Sequence, residues 1–429
     1  MIELSQTIPR HTCGSIKVFG VPFGARGERT ILNVAPAWRT PATALALLTA
    51  AALTASCSNG GTAAPRTGTP EGTTVATPQA PTVKITPGEG TTKVSPEKKV
   101  VVEAAGAALD NVTVQADGEQ LDGKYNTDKT RWISKTPLKP STSYDVSATA
   151  GATTATSTFT TAKPQRALQI ADVTPNAKGE TLGVGAPIIV TFNQPVTSKA
   201  TIERALEVEA EKPVEGAWRW INDTVVIYRT AKYWPAHQKV TFNANITGIK
   251  GGKGLYGVKD YTANLKIGAK QISKVDVAKH MMYVYKDGKR VQTMRISAGM
   301  ATTREYTTTS GVHLTMERGN PVRMISPGRK KGDPGYYDVM IDHAVRISNS
   351  GEYVHAKDNV WAQGVRNVSH GCINSRPDQA KWFYDNFQRG DVVDIKGTNR
   401  ELEWNNGWGY WQMSFTQWKK GSALKNDNR

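Results

Sequence analysis

Residues 355–374 read HAKDNVWAQGVRNVSHGCIN, the densest concentration of reactive side chains in the 429-residue chain. Cys372 is one of three cysteines and the only one beyond residue 57, with His370 two positions before it and His355 seventeen before it. A thiol attacks as the thiolate, and a free one, with a pKa of about 8.5, is mostly protonated at neutral pH, so a nearby imidazole is needed to take the proton. Gly371 lets the backbone come close to a substrate and offers an amide N–H to a developing oxyanion. The ingredients of acyl transfer through a covalent intermediate therefore lie in one short run.

A histidine followed, after a gap, by Ser369-His370-Gly371-Cys372-Ile373-Asn374 resembles the signature of the L,D-transpeptidases, the YkuD-type enzymes that cross-link peptidoglycan. The likeness covers roughly 270–397, and the order of segments upstream is similar to mycobacterial and other actinobacterial members. By that resemblance, Cys372 attacks the carbonyl between the third and fourth residues of a peptidoglycan stem peptide and expels the terminal D-alanine. The tripeptide is held as a thioester and passed to the side-chain amine of a second stem, giving a 3-to-3 cross-link. His355 is the base, oriented by the backbone carbonyl of Ala356, where family members usually carry serine; a carbonyl is present whatever the side chain. The N–H groups of Gly371 and Cys372 form the oxyanion hole, and His370 orders the loop. Ser369 and Asn374 tie the loop by side-chain hydrogen bonds and border the substrate, which Tyr336, Tyr337 and Trp361 also line. Thr308–His313 resembles a segment written Thr-Pro-Thr-Gly plus an aromatic, with Ser310 in place of the second threonine. The resemblance also implies acylation by carbapenems and requires no cofactor.

Three rival readings remain open. Water as acceptor would make the enzyme a carboxypeptidase or hydrolase with the same thioester. A metal centre of His355, His370 and Cys372, with His343, lacks a second close pair of ligands. A non-enzymatic wall-binding protein would not need Cys372.

Lys and Arg total 54 against 37 Asp and Glu, a net charge of +17 that favours a polyanionic neighbour. No basic helix, finger spacing or RNA-binding motif is present, and the export signals below point to an anionic wall or membrane surface instead of nucleic acid, with a basic protein that has no polyanionic partner as the alternative. Ala42–Ala55 is apolar but too short to span a bilayer comfortably; after Arg39 it fits the hydrophobic region of a signal peptide. Thr54-Ala55-Ser56-Cys57 resembles a lipoprotein box with its leucine, Leu53, one place early, so Cys57 is the candidate lipidation site. The expected location is the cell envelope, at the outer face of the plasma membrane. With Cys13 removed and Cys57 lipidated, no internal disulfide is possible.

The domain reading is a leader at 1–57, a Thr/Pro/Gly/Ser-rich linker at 58–79, immunoglobulin-like sandwiches at 80–164 and 165–268, the catalytic domain at 269–397, and a C-terminal subdomain at 398–429. The fold class is mainly β. Both sandwiches are read from short β-branched runs between turn residues, with Trp132, Trp218 and Trp220 as core. In the catalytic region, Ser273–Val284 is one strand, Asp287-Gly288 a hairpin turn and Arg290–Ser297 the return strand. Arg318–Tyr337, with three prolines, reads as a mobile flap without regular structure. Ser375 caps a helix whose buried face holds residues 380, 383, 384 and 387, and 392–395 is a closing strand. Trp404, Trp408, Trp411 and Trp418 pack the tail onto the second sandwich or the catalytic domain, with a carbohydrate platform as the alternative.

Overall fold

The structure, a computed structural model, describes residues 79–177 and 179–424. Cys13, Cys57, the apolar run at 42–55 and nearly all of the Thr/Pro-rich linker lie outside the described residues.

Alternating burial builds the first sandwich. Ser143–Ala150 sends every second side chain inward, and it pairs with Asn111–Ala116 and Thr153–Thr160 in one sheet. The facing sheet runs Thr82–Thr86, Val101–Ala105, Arg131–Ser134, Gly123–Tyr125. Tyr144 stacks on Phe159 at 5.3 Å, and Trp132 is buried against Gly123, where even a β-carbon would fall 2.0 Å from the indole. The second sandwich repeats the plan: Ile188–Phe192 and Val225–Thr230 lie central in one sheet, Gln238–Ala244 and Tyr261–Ile267 in the other. Trp218 is in its core, whereas Trp220 is half-buried and donates to Glu203 at 2.8 Å.

The catalytic region is a nine-stranded sheet ordered Gly311–Leu314, Val392–Lys396, Gln271–Asp276, Met281–Lys286, Lys289–Ser297, Ile373–Ser375, Tyr353–Ala356, Ala344–Arg346, Arg318–Gly319. The expected single strand over 273–284 is two strands, because the chain turns at 277–280 with His280 at φ 58°. Asp287 and Gly288 both take positive φ in the next turn, as a tight hairpin between twisted strands requires. The helix is Pro377–Asn386, and it buries Ala380 and Phe383. It starts later than the serine signal indicated. Ser375 ends a buried strand, its hydroxyl makes no capping bond, and Pro377 opens the helix instead. The flap is also more ordered than expected: Val322–Ile325 pairs with Asp338–Ile341, leaving 326–337 as the irregular tip.

Beyond the sheet, a 3₁₀ turn at Gly409–Gln412 and a helix at Phe415–Lys419 return to the second sandwich. Trp408, Tyr410 and Trp418 join its core, and the Trp418 and Trp411 indoles donate to Ala217 and Gly185 at 2.9 and 3.0 Å. Trp404 lies under the Arg219 guanidinium. Buried or spent on protein contacts, these rings form packing and not a carbohydrate platform.

Candidate active site

Two adjacent parallel strands create the site. Tyr353–Ala356 and Ile373–Ser375 pair with Val354 beside Ile373 and His355 beside Asn374, which sets Cys372 beside Tyr353 at the strand entrance. Side chains alternate with period two, so Val354 and Ile373 turn into the hydrophobic core while His355, Asn374, Tyr353 and Cys372 share the other face. A gap of seventeen residues in sequence thus becomes one strand across and two residues along, about 8 Å between α-carbons.

His355 is buried, and its Nδ1 lies 2.8 Å from the Ala356 carbonyl. A carbonyl only accepts, so Nδ1 carries the proton and Nε2 presents its lone pair to the cavity. Burial lowers the imidazole to about 4, against the pull of that carbonyl. Burial likewise pushes the Cys372 thiol up to about 12, with the Tyr353 N–H opposing and the Glu352 charge adding to the rise. At neutral pH the pair therefore rests as thiol and neutral imidazole. The thiol donates to the Gly351 carbonyl at 3.5 Å, and no hydrogen bond joins it to His355 in this arrangement.

The loop before Cys372 is tied at several points. Ser369 Oγ donates to the Cys372 carbonyl at 2.6 Å and accepts from the Gly371 N–H at 3.1 Å. That bond corrects one expectation: the Gly371 N–H is committed within its own loop and is not an open oxyanion donor. The Cys372 N–H has no hydrogen-bond partner among the described residues and keeps that role available. Thr308 Oγ1 donates to the Gly371 carbonyl at 2.7 Å. His370 stacks on Tyr306 at 4.2 Å and meets the tilted Tyr337 ring at 5.4 Å, and Arg329 covers Tyr306 while pairing with Glu305.

Beside this loop runs a buried polar chain. Thr309 Oγ1 donates to Glu352 at 2.7 Å and faces His313 Nε2 at 2.7 Å, while the Thr309 N–H donates to the other Glu352 oxygen at 2.7 Å. Burial raises the Glu352 carboxyl, but His313 and the Thr309 donors outweigh it and hold the group below its usual value. Glu352 separates Gly351, whose carbonyl accepts the thiol hydrogen bond, from Tyr353, whose N–H faces the sulfur.

Cys372 opens on two cavities. The larger, about 460 Å³, is bordered by Tyr306, Arg329, Tyr337, Arg346, Tyr353 and Arg400. The smaller, about 230 Å³, is bordered by Tyr337, Val339, His355, Lys357, Ser369 and Asn374. Tyr337 borders both. Tyr336 borders neither; its N–H closes a turn onto the Asp333 carbonyl at 3.0 Å. Trp361 is also outside: it is 60 % exposed and packs under Arg366 at 4.3 Å. Among the described residues no group of three or more His, Cys, Asp or Glu side chains is arranged to hold a metal ion, and His343 packs against Tyr384 instead. Sequence reasoning missed Tyr306, Arg329, Glu352, Arg346 and Arg400, which come from separate segments without a shared spacing.

Comparison with known proteins places these features in one family. Residues 91–250 match the bacterial Ig domain, and residues 270–395 match the L,D-transpeptidase catalytic domain. L,D-transpeptidase 5 of Mycobacterium tuberculosis is 32 % identical over 81 % of this chain and 78 % of its own. L,D-transpeptidase 2 of the same species is 31 % identical over 94 % of this chain and 99 % of its own. A solved L,D-transpeptidase in complex with imipenem is 31 % identical, covers 53 % of this chain and 98 % of its own, and gives a TM-score of 0.46. The catalytic-domain match and the near full-length relatives establish that this chain belongs to the L,D-transpeptidases and is an enzyme of that family.

Proposed function

We propose that this enzyme forms 3-to-3 cross-links in peptidoglycan through a thioester on Cys372, releasing D-alanine. The observation that carries the reading is the parallel strand pair, with Cys372 and His355 on one face and His355 Nδ1 spent on the Ala356 carbonyl. His355 Nε2 takes the thiol proton as sulfur attacks the carbonyl carbon of the third stem residue. The oxyanion meets the Cys372 N–H, an interaction worth about 3–4 kcal/mol in comparable sites. Collapse breaks the C–N bond, and the D-alanine amine leaves with the proton held by His355. The side-chain amine of a second stem then attacks the thioester, gives its surplus proton to His355, and sulfur regains a proton as the amide forms. Two cavities meeting at one thiol suit a donor and a separate amine acceptor, and favour transfer over hydrolysis.

In this reading the two sandwiches are a stalk, residues 1–57 export the chain, a lipid on Cys57 anchors it at the outer face of the plasma membrane, and 58–79 is the tether to the wall. Carbapenems acylate Cys372. The test is product analysis by mass spectrometry after incubation with a disaccharide carrying a tetrapeptide stem. A dimer short of one D-alanine is expected; tripeptide monomer alone would mean that water is the acceptor.

A further inference from the structure

Glu352 and His313 take no part in the steps above, yet they form a buried pair beside the nucleophile, 3.6 Å apart. Burying two charges is tolerated only where both are bonded throughout. Here the bonds fix every proton. The Gly311 carbonyl accepts from His313 Nδ1 at 3.0 Å, and the Glu352 carboxylate, which only accepts, takes the Thr309 hydroxyl proton at 2.7 Å. The Thr309 oxygen must then accept from His313 Nε2, 2.7 Å away, so both imidazole nitrogens carry protons and the pair is imidazolium and carboxylate. The Glu352 backbone is held as well: its N–H donates to Ser348 Oγ at 3.1 Å, and its carbonyl accepts from the Ile347 N–H at 2.9 Å.

The negative end of this pair lies toward the sulfur. Glu352 stands in sequence between the two groups that meet the thiol, the Gly351 carbonyl and the Tyr353 N–H. Its side chain also runs under the nucleophile turn, since a β-carbon on Gly371 would lie 3.9 Å from Glu352 Cγ. His313 stands behind Thr309. The other titratable groups around the sulfur are Tyr353 and His355 on the neighbouring strand, Tyr337 on the flap and His370 in its own loop. Charges at the mouth of the larger cavity are engaged elsewhere: Arg323 with Asp338, Arg329 with Glu305, which Arg400 also faces, and Arg346 over Tyr353. Burial does most to push the thiol up and the Tyr353 N–H opposes it; the charge that adds to the rise is Glu352.

We propose that Glu352 is a positioning residue for the nucleophile: its fixed negative charge keeps the proton on Cys372 between turnovers, so that thiolate forms only as His355 takes the proton with an acyl donor in place. A resting thiolate would be open to alkylating or oxidising reagents that enter the cavities, and the thiol is far less so. This rests on the reading of Cys372 as the nucleophile and on no particular acceptor.

The experiment follows iodoacetamide labelling of Cys372 in the whole protein by peptide mass spectrometry between pH 7 and 10, without substrate. E352Q removes the charge and leaves every bond possible: its carbonyl oxygen accepts the Thr309 N–H, its amide donates to Thr309 Oγ1, and the Thr309 proton turns to a neutral His313 Nε2. E352D keeps the charge but is too short to hold both Thr309 bonds. At each pH E352Q should label about threefold or more faster than the parent, while E352D stays within about twofold. Labelling of E352D as fast as E352Q or faster would assign Glu352 to packing and overturn the proposal, as would an E352Q rate within about twofold of the parent. An E352Q protein without a cooperative melting transition would overturn the bond assignment on which the proposal stands. Product formed at an undiminished rate by parent protein fully labelled at Cys372 would overturn the nucleophile reading and this inference together.

Discussion

At the scale of single residues, the proposed chemistry rests on a thiol and an imidazole that are both neutral in the resting site. With Cys372 at about 12 and His355 at about 4, an alkylating reagent that needs a free thiolate meets very little of it at neutral pH. The rate of iodoacetamide labelling should therefore climb steadily from pH 7 to 10; levelling near pH 8 would reveal a thiolate stabilised in the resting site. In the proposed mechanism His355 is the base in place, so acylation by substrate should stay flat across neutral pH and fall only as His355 is protonated, below about pH 5. Thr309→Val tests the buried chain next to the thiol. It keeps the shape, removes the hydroxyl bridging Glu352 and His313, and should cost about 2 kcal/mol in urea unfolding together with slower acylation. Unchanged stability would mean the two groups find other partners.

Among the elements, the strand pair Tyr353–Ala356 and Ile373–Ser375 was legible only in part. The chemical residues stand out in the sequence, but a parallel register depends on how the intervening crossover folds, which spacing does not encode. The helix after Cys372 was legible from the apolar positions 380, 383, 384 and 387, of which Ala380, Phe383 and Phe387 are buried and Tyr384 only half-buried. Its start was not, because Ser375 is drawn into the sheet by neighbours distant in sequence. Likewise Asp287-Gly288 announces its turn through local chemistry, while Tyr306 and Arg329 reach His370 from segments that carry no common signal. Asp391, at the start of the strand bonded to Gln271–Asp276, gives an element-scale prediction. Burial pushes its carboxyl up to about 8, against bonds from the Gln388 N–H and the Gln271 side chain. The folded value exceeds the unfolded one, so its stabilising contribution is complete below about pH 4 and is lost as pH rises through 8. D391N should flatten the decline in melting temperature between pH 5 and 8. His355 has the opposite sign: its value falls on folding, so stability present above about pH 6.5 drains away as pH falls toward 4.

At the scale of the whole molecule, the tail joins the second sandwich to the catalytic region. Arg229, from the second sandwich, lies against Trp411 and Trp418 and donates to the Tyr410 and Met413 carbonyls at 2.7 and 2.9 Å. At the same joint, the Gly183 and Gly185 N–H groups donate to Arg389 and Gly390, and a β-carbon on Gly183 would fall 2.1 Å from the Asp391 nitrogen. Four tryptophans in the tail were plain in the sequence; which surface they cover was not, since any apolar face would accept them. Trp418→Ala should cost about 3–5 kcal/mol in urea unfolding, whereas Trp361→Ala, at an exposed site, should stay within about 0.5 kcal/mol of the parent. The central claim is that Cys372 carries the acyl group. Its most direct test is intact-protein and peptide mass spectrometry after incubating the protein with a tetrapeptide donor and quenching in acid. The account predicts an added mass equal to the donor less D-alanine, on the peptide containing Cys372 and absent from C372A; cross-linked product made at the parental rate by C372A would contradict it.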